Sequence, residues 1–461
     1  MSNIARMMQR ATAGAGGAGL DVESVFSTYL YTGTGAAHTI TNGIDLAGEG
    51  GLVWVKGRDQ ARENALADTE RGTGVWMSSN LNNGNLSNAQ MINQFNSDGF
   101  RVGTESDVNF SGEAFASWTF RKAPKFFDVV TYTGGSSQPG VYSHGLKSTP
   151  GMIIFKKTSG AEDWWVWHRS AGGIGYIGNL NTTGSFFNAG TAVTAVSATT
   201  FSVNYTVNGN GDSYVAYVFA HNDGDGEFGA DGDADIIKCG SKTFTGNGVY
   251  TIDLGFEADF VLWKRADSTS DWNIMDSMRP KFDANSLTGA GQTLVLKPNN
   301  NGAENTNVLY MGPTATGFGG YNGSGASTWI YMAIRRGTKV PESATEVFAI
   351  DTMGSTSGNP AFKSNFVVDM ALYKQYNGTQ DWAIPTRLMG LKHLEPNSTD
   401  AEKSDGTVDN FAFNTGYNNA ATNSSYYSWM WKRAPGYFDA VAYSGTGSAQ
   451  TINHNLGVAP E

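Results

Sequence analysis

Residues Tyr437 to Glu461, reading YFDAVAYSGTGSAQTINHNLGVAPE, repeat with few changes a segment that begins at Phe126, FFDVVTYTGGSSQPGVYSHGLKSTPG. One unit is being used again, and any fold assigned to this chain has to accommodate that. Each copy opens with alternating β-formers, Val129 and Thr131 against Val130 and Tyr132. It then turns through a Gly-rich loop and returns as a short strand to a Pro or Gly corner, which predicts an antiparallel hairpin. The opening recurs as Tyr31-Thr32-Gly33 and Phe244-Thr245-Gly246. Starts therefore fall at Tyr31, Tyr132, Phe244 and Tyr443, with a degenerate one near Ile350. The period is about 100 residues, the size of a domain and not of a solenoid turn.

A length of 461 residues accommodates this array. The 59 glycines and 12% aromatic residues, with few Leu or Lys, describe short strands joined by tight turns. The expected fold class is all-β: tandem antiparallel β-sandwich domains of jelly-roll type behind a short N-terminal arm. The expected division is an arm and Gly/Ala tether at 1–24, sandwiches at 25–125 and 126–222, and an acidic Asp-Gly linker at 223–234. Sandwiches follow at 235–341 and 342–436, and a fifth begins at 437–461. In the arm, Ile4, Met7 and Met8 share one side of a short helix that needs something to dock on.

A formal charge of −11 would repel a phosphate backbone, so no nucleic-acid partner is expected. A single cysteine, Cys239, excludes an internal disulfide and suits folding in a reducing compartment. The longest apolar runs, such as Met152 to Phe155, are strand-length, so no membrane insertion is expected.

The units share a template: apolar strand, Lys or Arg, polar hairpin, Asp-Trp, second strand, Arg. Asp163-Trp164, Asp271-Trp272 and Asp381-Trp382 fit it. The Asp is read as a hairpin cap and the Trp as a core plug, with Trp54, Trp164, Trp263 and Trp272 expected to be buried; a sugar-stacking indole is the alternative. Arg71 and Arg279 follow Asp68 and Asp276 by three residues, a spacing for local ion pairs, and Arg169 and Arg387 end the same strand.

Asp223, Asp225, Asp231 and Asp233 alternate with glycines, which would let carboxylates converge on a hard cation such as calcium. The stretch has Ala234 where an EF-hand loop carries its bidentate Glu, so a solvated acidic linker is the other reading. His144 and His454 occupy one repeat position where other units carry Asn42 and Asp253, which argues for a turn residue and not for catalysis. The nearest approach to a glucanase E-x-D-x-x-E strand is Glu105-Ser106-Asp107, ending on Phe110. No G-x-S-x-G or Walker-type loop occurs, so no enzymatic activity is expected.

The phrases FDVVTYTG, YVAYVFAHNDGDGEFGADGDADIIKCGS, IYMAIRRGTKVPESATEVFAIDT and SYYSWMWKRAPGYFDAVAY resemble the repeats of tail-fibre and other virion structural proteins of marine tailed bacteriophages, cyanophages above all. The resemblance spans Val25 to Glu461. It implies concanavalin A-like sandwiches and a place in the virion tail or a surface appendage after synthesis in the host cytoplasm. The arm carrying Ile4, Met7 and Met8 would then dock on other tail or capsid proteins. A homo-oligomer, most simply a trimer, and contact with a bacterial surface glycan are the further implications. A purely structural spacer or decoration protein is the alternative, ahead of a capsule depolymerase. Because Thr149-Pro150-Gly151 runs on into a core strand whereas the last copy stops at Glu461, the natural chain is expected to continue.

Overall fold

The computed structural model describes residues 19–190, 192–279, 293–307, 310–353, 360–390, 392–403, 410–419, 425–443 and 445–461. The fold is all-β, built from antiparallel sheets stacked in pairs. In the first pair a six-stranded sheet runs, edge to edge, Phe26–Thr32, Ala114–Arg121, Gly51–Gly57, Ala65–Asp68, Val75–Ser78 and Leu86–Ser87. A three-stranded sheet of His38–Thr41, Gly99–Val102 and Ile92–Asn96 covers one of its faces. Between them lie Tyr31, Ile40, Val53, Val55, Phe100 and Phe115, all buried.

The same pairing order recurs. The second large sheet runs Phe127–Thr133, Ser213–Ala220, Pro150–Lys157, Trp165–His168, Tyr176–Asn179 and Phe187–Asn188. The third runs Ile237–Phe244, Ser327–Arg335, Ala258–Arg265 and Trp272–Asp276. Each has its own three-stranded partner, led by Gly140–Ser143 and Gly248–Asp253. A smaller fourth stack pairs Phe348–Thr352, Tyr426–Trp431 and Met370–Gln375 in the order of the first three strands of the others.

Simple alternation predicts sheets with one apolar face. The first three large sheets are instead buried on both. Gly51–Gly57 is buried at every position because Val53 and Val55 fill its own sandwich while Leu52 and Trp54 point the other way. On that second side the three large sheets meet one another. Trp118 lies 6.1 Å from Trp54 and 6.2 Å from Phe260. Phe120 lies 5.5 Å from Phe127, 5.6 Å from Phe219 and 6.1 Å from Phe260. One continuous apolar core therefore runs through three sandwiches. Trp54, Trp164, Trp263 and Trp272 are all buried, but only Trp263 plugs its own sandwich; the other three belong to the shared centre.

Residues 437–461 form no strand among those described and are largely exposed. They nevertheless build the corner seen in the second unit. Gly436 N–H donates to the Leu456 carbonyl and Asn455 N–H to Asp439 Oδ2, as Lys125 donates to Leu146 and Gly145 to Asp128.

Candidate functional site at the sandwich junctions

Three side chains do the same work at three places. Lys56, Lys156 and Lys264 each leave the end of a central strand, are fully buried, and donate to the carbonyl six residues on: Arg62, Glu162 and Ser270 respectively. Each also donates to a carbonyl of a neighbouring sandwich. Lys156 reaches Asn82 in the first at 2.8 Å, Lys264 reaches Thr183 in the second at 3.0 Å, and Lys56 reaches Asn301 in the third at 2.8 Å. Paired backbone bonds flank each lysine: Asn85 to Thr158 and Glu162 to Asn82, Phe186 to Ala266 and Ser270 to Thr183, Glu304 to Arg58 and Arg62 to Asn301. A loop of the first unit thus enters the hairpin of the second, the second enters the third, and the third returns to the first. The three sandwiches form a closed ring.

The Asp-Trp pairs serve this junction. Asn181 holds Asp163 at 2.8 Å and accepts from Trp164 N–H, and Asn299 does the same for Asp271 and Trp272. The indole N–H groups then cross to the preceding sandwich, Trp164 to Ser78 and Leu81 carbonyls and Trp272 to the Asn179 carbonyl. Asn64 stands at that position in the first unit and donates to the Lys297 and Asn300 carbonyls. Further in, Tyr217 donates to Asp68 at 2.8 Å, His168 Nε2 to the Tyr331 carbonyl at 3.0 Å, and Trp118 Nε1 to Asp276 at 3.0 Å, again one bond per junction. Arg71 and Arg279 close the local ion pairs expected with Asp68 and Asp276, at 2.6 and 2.7 Å.

Burial lowers each junction lysine to about 8. A neutral amine still offers two N–H donors, enough for both carbonyls. The unfolded chain holds these protons to about pH 10.5, so between roughly 8 and 10.5 the unfolded state binds more protons and rising pH favours the fold. Buried Cys239, raised from its ordinary 9.0, acts in the opposite sense above pH 9. The expected outcome is a melting temperature that climbs from pH 7.5 to 9, with a flatter climb in Lys156→Met. A decline over that range in calorimetry would refute the assignment.

At the other end of the ring, charged groups attach the fourth sandwich. Asp369, buried, pairs with Arg336 at 2.7 Å and lies 3.5 Å from both Arg387 and Arg433. Arg433 makes a two-pronged contact with Glu257 of the third sandwich at 2.9 and 2.8 Å, and Arg387 reaches the Ser277 carbonyl at 2.9 Å. Burial alone would raise Asp369, yet Arg336, Arg433 and Arg387 outweigh it and hold the carboxyl at about 2. The adjoining cavity, lined by Glu257, Arg336, Thr338, Phe438 and Asn455, offers about 30 Å³, room for water and not for a sugar ring.

The acidic stretch is anchored at a few points, with most of its residues exposed. Phe228 is buried 6.4 Å from Phe126, and Gly229 N–H donates to the Leu20 carbonyl. Asp225 accepts from Lys125 at 2.8 Å and from Asp223 N–H at 3.1 Å, while Asp223, Asp231 and Asp233 point to solvent. Among the described residues no group of three or more His, Cys, Asp or Glu is placed to hold a metal ion. Millimolar calcium is accordingly expected to leave the melting temperature unchanged; a rise reversed by chelator and abolished in Asp231→Asn would restore the calcium reading. His144 accepts from Leu146 N–H in a turn, and Glu105 caps a helical turn at Ser106 N–H. Ile4, Met7 and Met8 lie outside the described residues.

Among the described residues no helix is long and apolar enough to cross a membrane. No curated protein matches the chain. A family model described as Domain of unknown function (DUF7483) matches residues 21–336. Those limits enclose the ring, from just before the strand at Phe26 to just after the strand ending at Arg335. The chain belongs to the DUF7483 family, and the family's domain coincides with the closed ring of three sandwiches.

Proposed function

We propose that the protein is a non-catalytic structural component of a bacteriophage virion, a spacer or shaft element of a tail fibre or related appendage. The observation that carries this reading is how the ring uses its polar side chains. Lysines, indoles and carboxylates that could address a ligand are turned inward to join sandwich to sandwich. A closed ring with paired backbone bonds at every junction resists bending and shear, which suits a load-bearing shaft. The resemblance of several sequence phrases to tail-fibre repeats points the same way. The arm at 1–24 would dock on other tail or capsid proteins. Glycan contact by this stretch has less support, since Trp54, Trp164 and Trp272 are buried at junctions and not displayed as a stacking platform.

Mass spectrometry of purified particles, with antibody labelling against the ring, tests the reading. Peptides of this chain in stoichiometric amount and label on the tail are expected. Absence from the particle would overturn it, and host glycan captured by the isolated protein would favour the attachment role over the spacer.

A further inference from the structure

In the first three sandwiches, the row of side chains crossing the middle of the large sheet is buried. The rows are Thr28-Trp118-Trp54, Val129-Tyr217-Ile154 and Cys239-Met332-Leu262. The fourth sandwich carries the matching row Ile350-Trp429-Leu372, in the same register, and it is only partly covered, with Trp382 5.9 Å from Trp429. Ile350 is 57% exposed, and Trp429 and Leu372 are half-buried. Phe348, Met370 and Trp431 beside them are also half-buried, where Phe26, Leu52 and Phe120 are at most 3% exposed.

The junction parts are present too, and unmatched. Lys374 donates to the Gln380 carbonyl six residues on, as the ring lysines do. Its second carbonyl, supplied in the ring by Asn301, Asn82 or Thr183, has no counterpart among the described residues. Asn397 clasps Asp381 at 2.6 Å and Trp382 N–H at 3.2 Å, reproducing the hairpin that receives a neighbour's loop. That hairpin, 376–380, is exposed, and so is most of the loop 397–402 that would enter a neighbour.

We propose that the fourth sandwich is one third of a second ring, completed by the fourth sandwiches of two further copies of this chain. Each copy carries both complementary parts, the receiving hairpin and the entering loop. The first ring fixes the step: three applications of the same contact return to the start. A head-to-tail contact that repeats this step between copies therefore closes at three instead of growing into a filament. By position, Lys374 and Gln380 N–H donate to the carbonyl of Thr399 of the partner subunit, and Glu402 N–H to that of Tyr376. The apolar row, otherwise a partly solvent-facing patch with Ile350 its most exposed member, becomes the centre of the assembly. This inference does not depend on the functional reading above.

Sedimentation of the 461-residue chain at micromolar concentration tests it. A trimer is expected, with Ile350→Asp and Lys374→Met each weakening assembly at least tenfold. Tyr205→Asp, at a position 72% exposed on the second sandwich, is expected to leave it intact. Because Ile350 is exposed within one copy, its replacement should preserve the circular dichroism of the ring. A monomer, a dimer or an open polymer would overturn the proposal, as would a trimer indifferent to both variants or one lost equally in Tyr205→Asp.

Discussion

Replacing Trp118 by alanine is expected to cost about 3–5 kcal/mol and to weaken all three sandwiches of the ring together. Its indole has no exposed surface and packs edge-on against Trp54 and Phe260, and its Nε1–H satisfies Asp276, a carboxylate that must also hold Arg279. Truncation leaves a cavity where three sheets meet and removes one donor from a buried acid. Few neighbours can collapse into the gap, since each is tied into a sheet on both sides. Calorimetry should show a single ring transition lowered by roughly 5–10 °C. Tyr205→Ala, at a solvent-facing position, should stay within about 0.5 kcal/mol of the parent. A Trp118→Ala protein that melts like Tyr205→Ala, or that loses only the first sandwich, would show that the sandwiches are energetically independent.

The second large effect is expected at Asp369. Its removal in Asp369→Ala would leave Arg336, Arg387 and Arg433 facing one another in a buried junction, a loss of about 3–5 kcal/mol by the usual behaviour of stranded buried charge. The fourth sandwich is expected to detach first, giving a separate low-temperature transition and protease cleavage between the strands ending at Arg335 and starting at Phe348. Acid provides an independent check. A carboxyl held at about 2 is ionised in the fold at pH values where the unfolded chain has begun to bind its proton. Its contribution is complete above about pH 3.8 and disappears only as pH falls through 2. The parent junction should therefore persist at pH 3, and the variant should lack that reserve. Equal acid sensitivity in both would sink the assignment.

Much of the fold is written locally. Alternation in Phe127–Thr133, the Gly-rich turns and the recurring Asp-Trp signal strands and hairpins because a strand's inside and outside are set by neighbours two residues apart. The covering of the second face is not local. Nothing in Gly51–Gly57 distinguishes a strand buried by its own sandwich from one also buried in a core shared with other sandwiches, because those partners are remote in sequence. The lysine of the template was visible, but its second acceptor lies in another unit, at a distance no periodicity encodes. The acidic stretch is ambiguous for a related reason: Asp-Gly alternation fits a cation loop as well as a solvated linker anchored at a few points. Only the placement of Lys125 and Phe228 shows how these particular residues are used.

Ring closure also sets an order of events during synthesis. Lys56 and its acceptor Asn301 are 245 residues apart. The first large sheet is complete at Arg121, 180 residues before Asn301, so at roughly 5–20 residues per second it waits about 9–36 s for the third sandwich's loop. Until the third sandwich is made, Trp118 lacks Phe260 and Asp276, and the second sandwich covers only part of that face. The nascent chain is therefore stickiest in mid-translation, and crowded polysomes carry neighbouring chains with the same partly bare face and the same receptive hairpins. Slow codons or cooling within the third sandwich would lengthen this exposure, and holdase chaperones should be found on chains stalled before Arg336 far more than on those released after it.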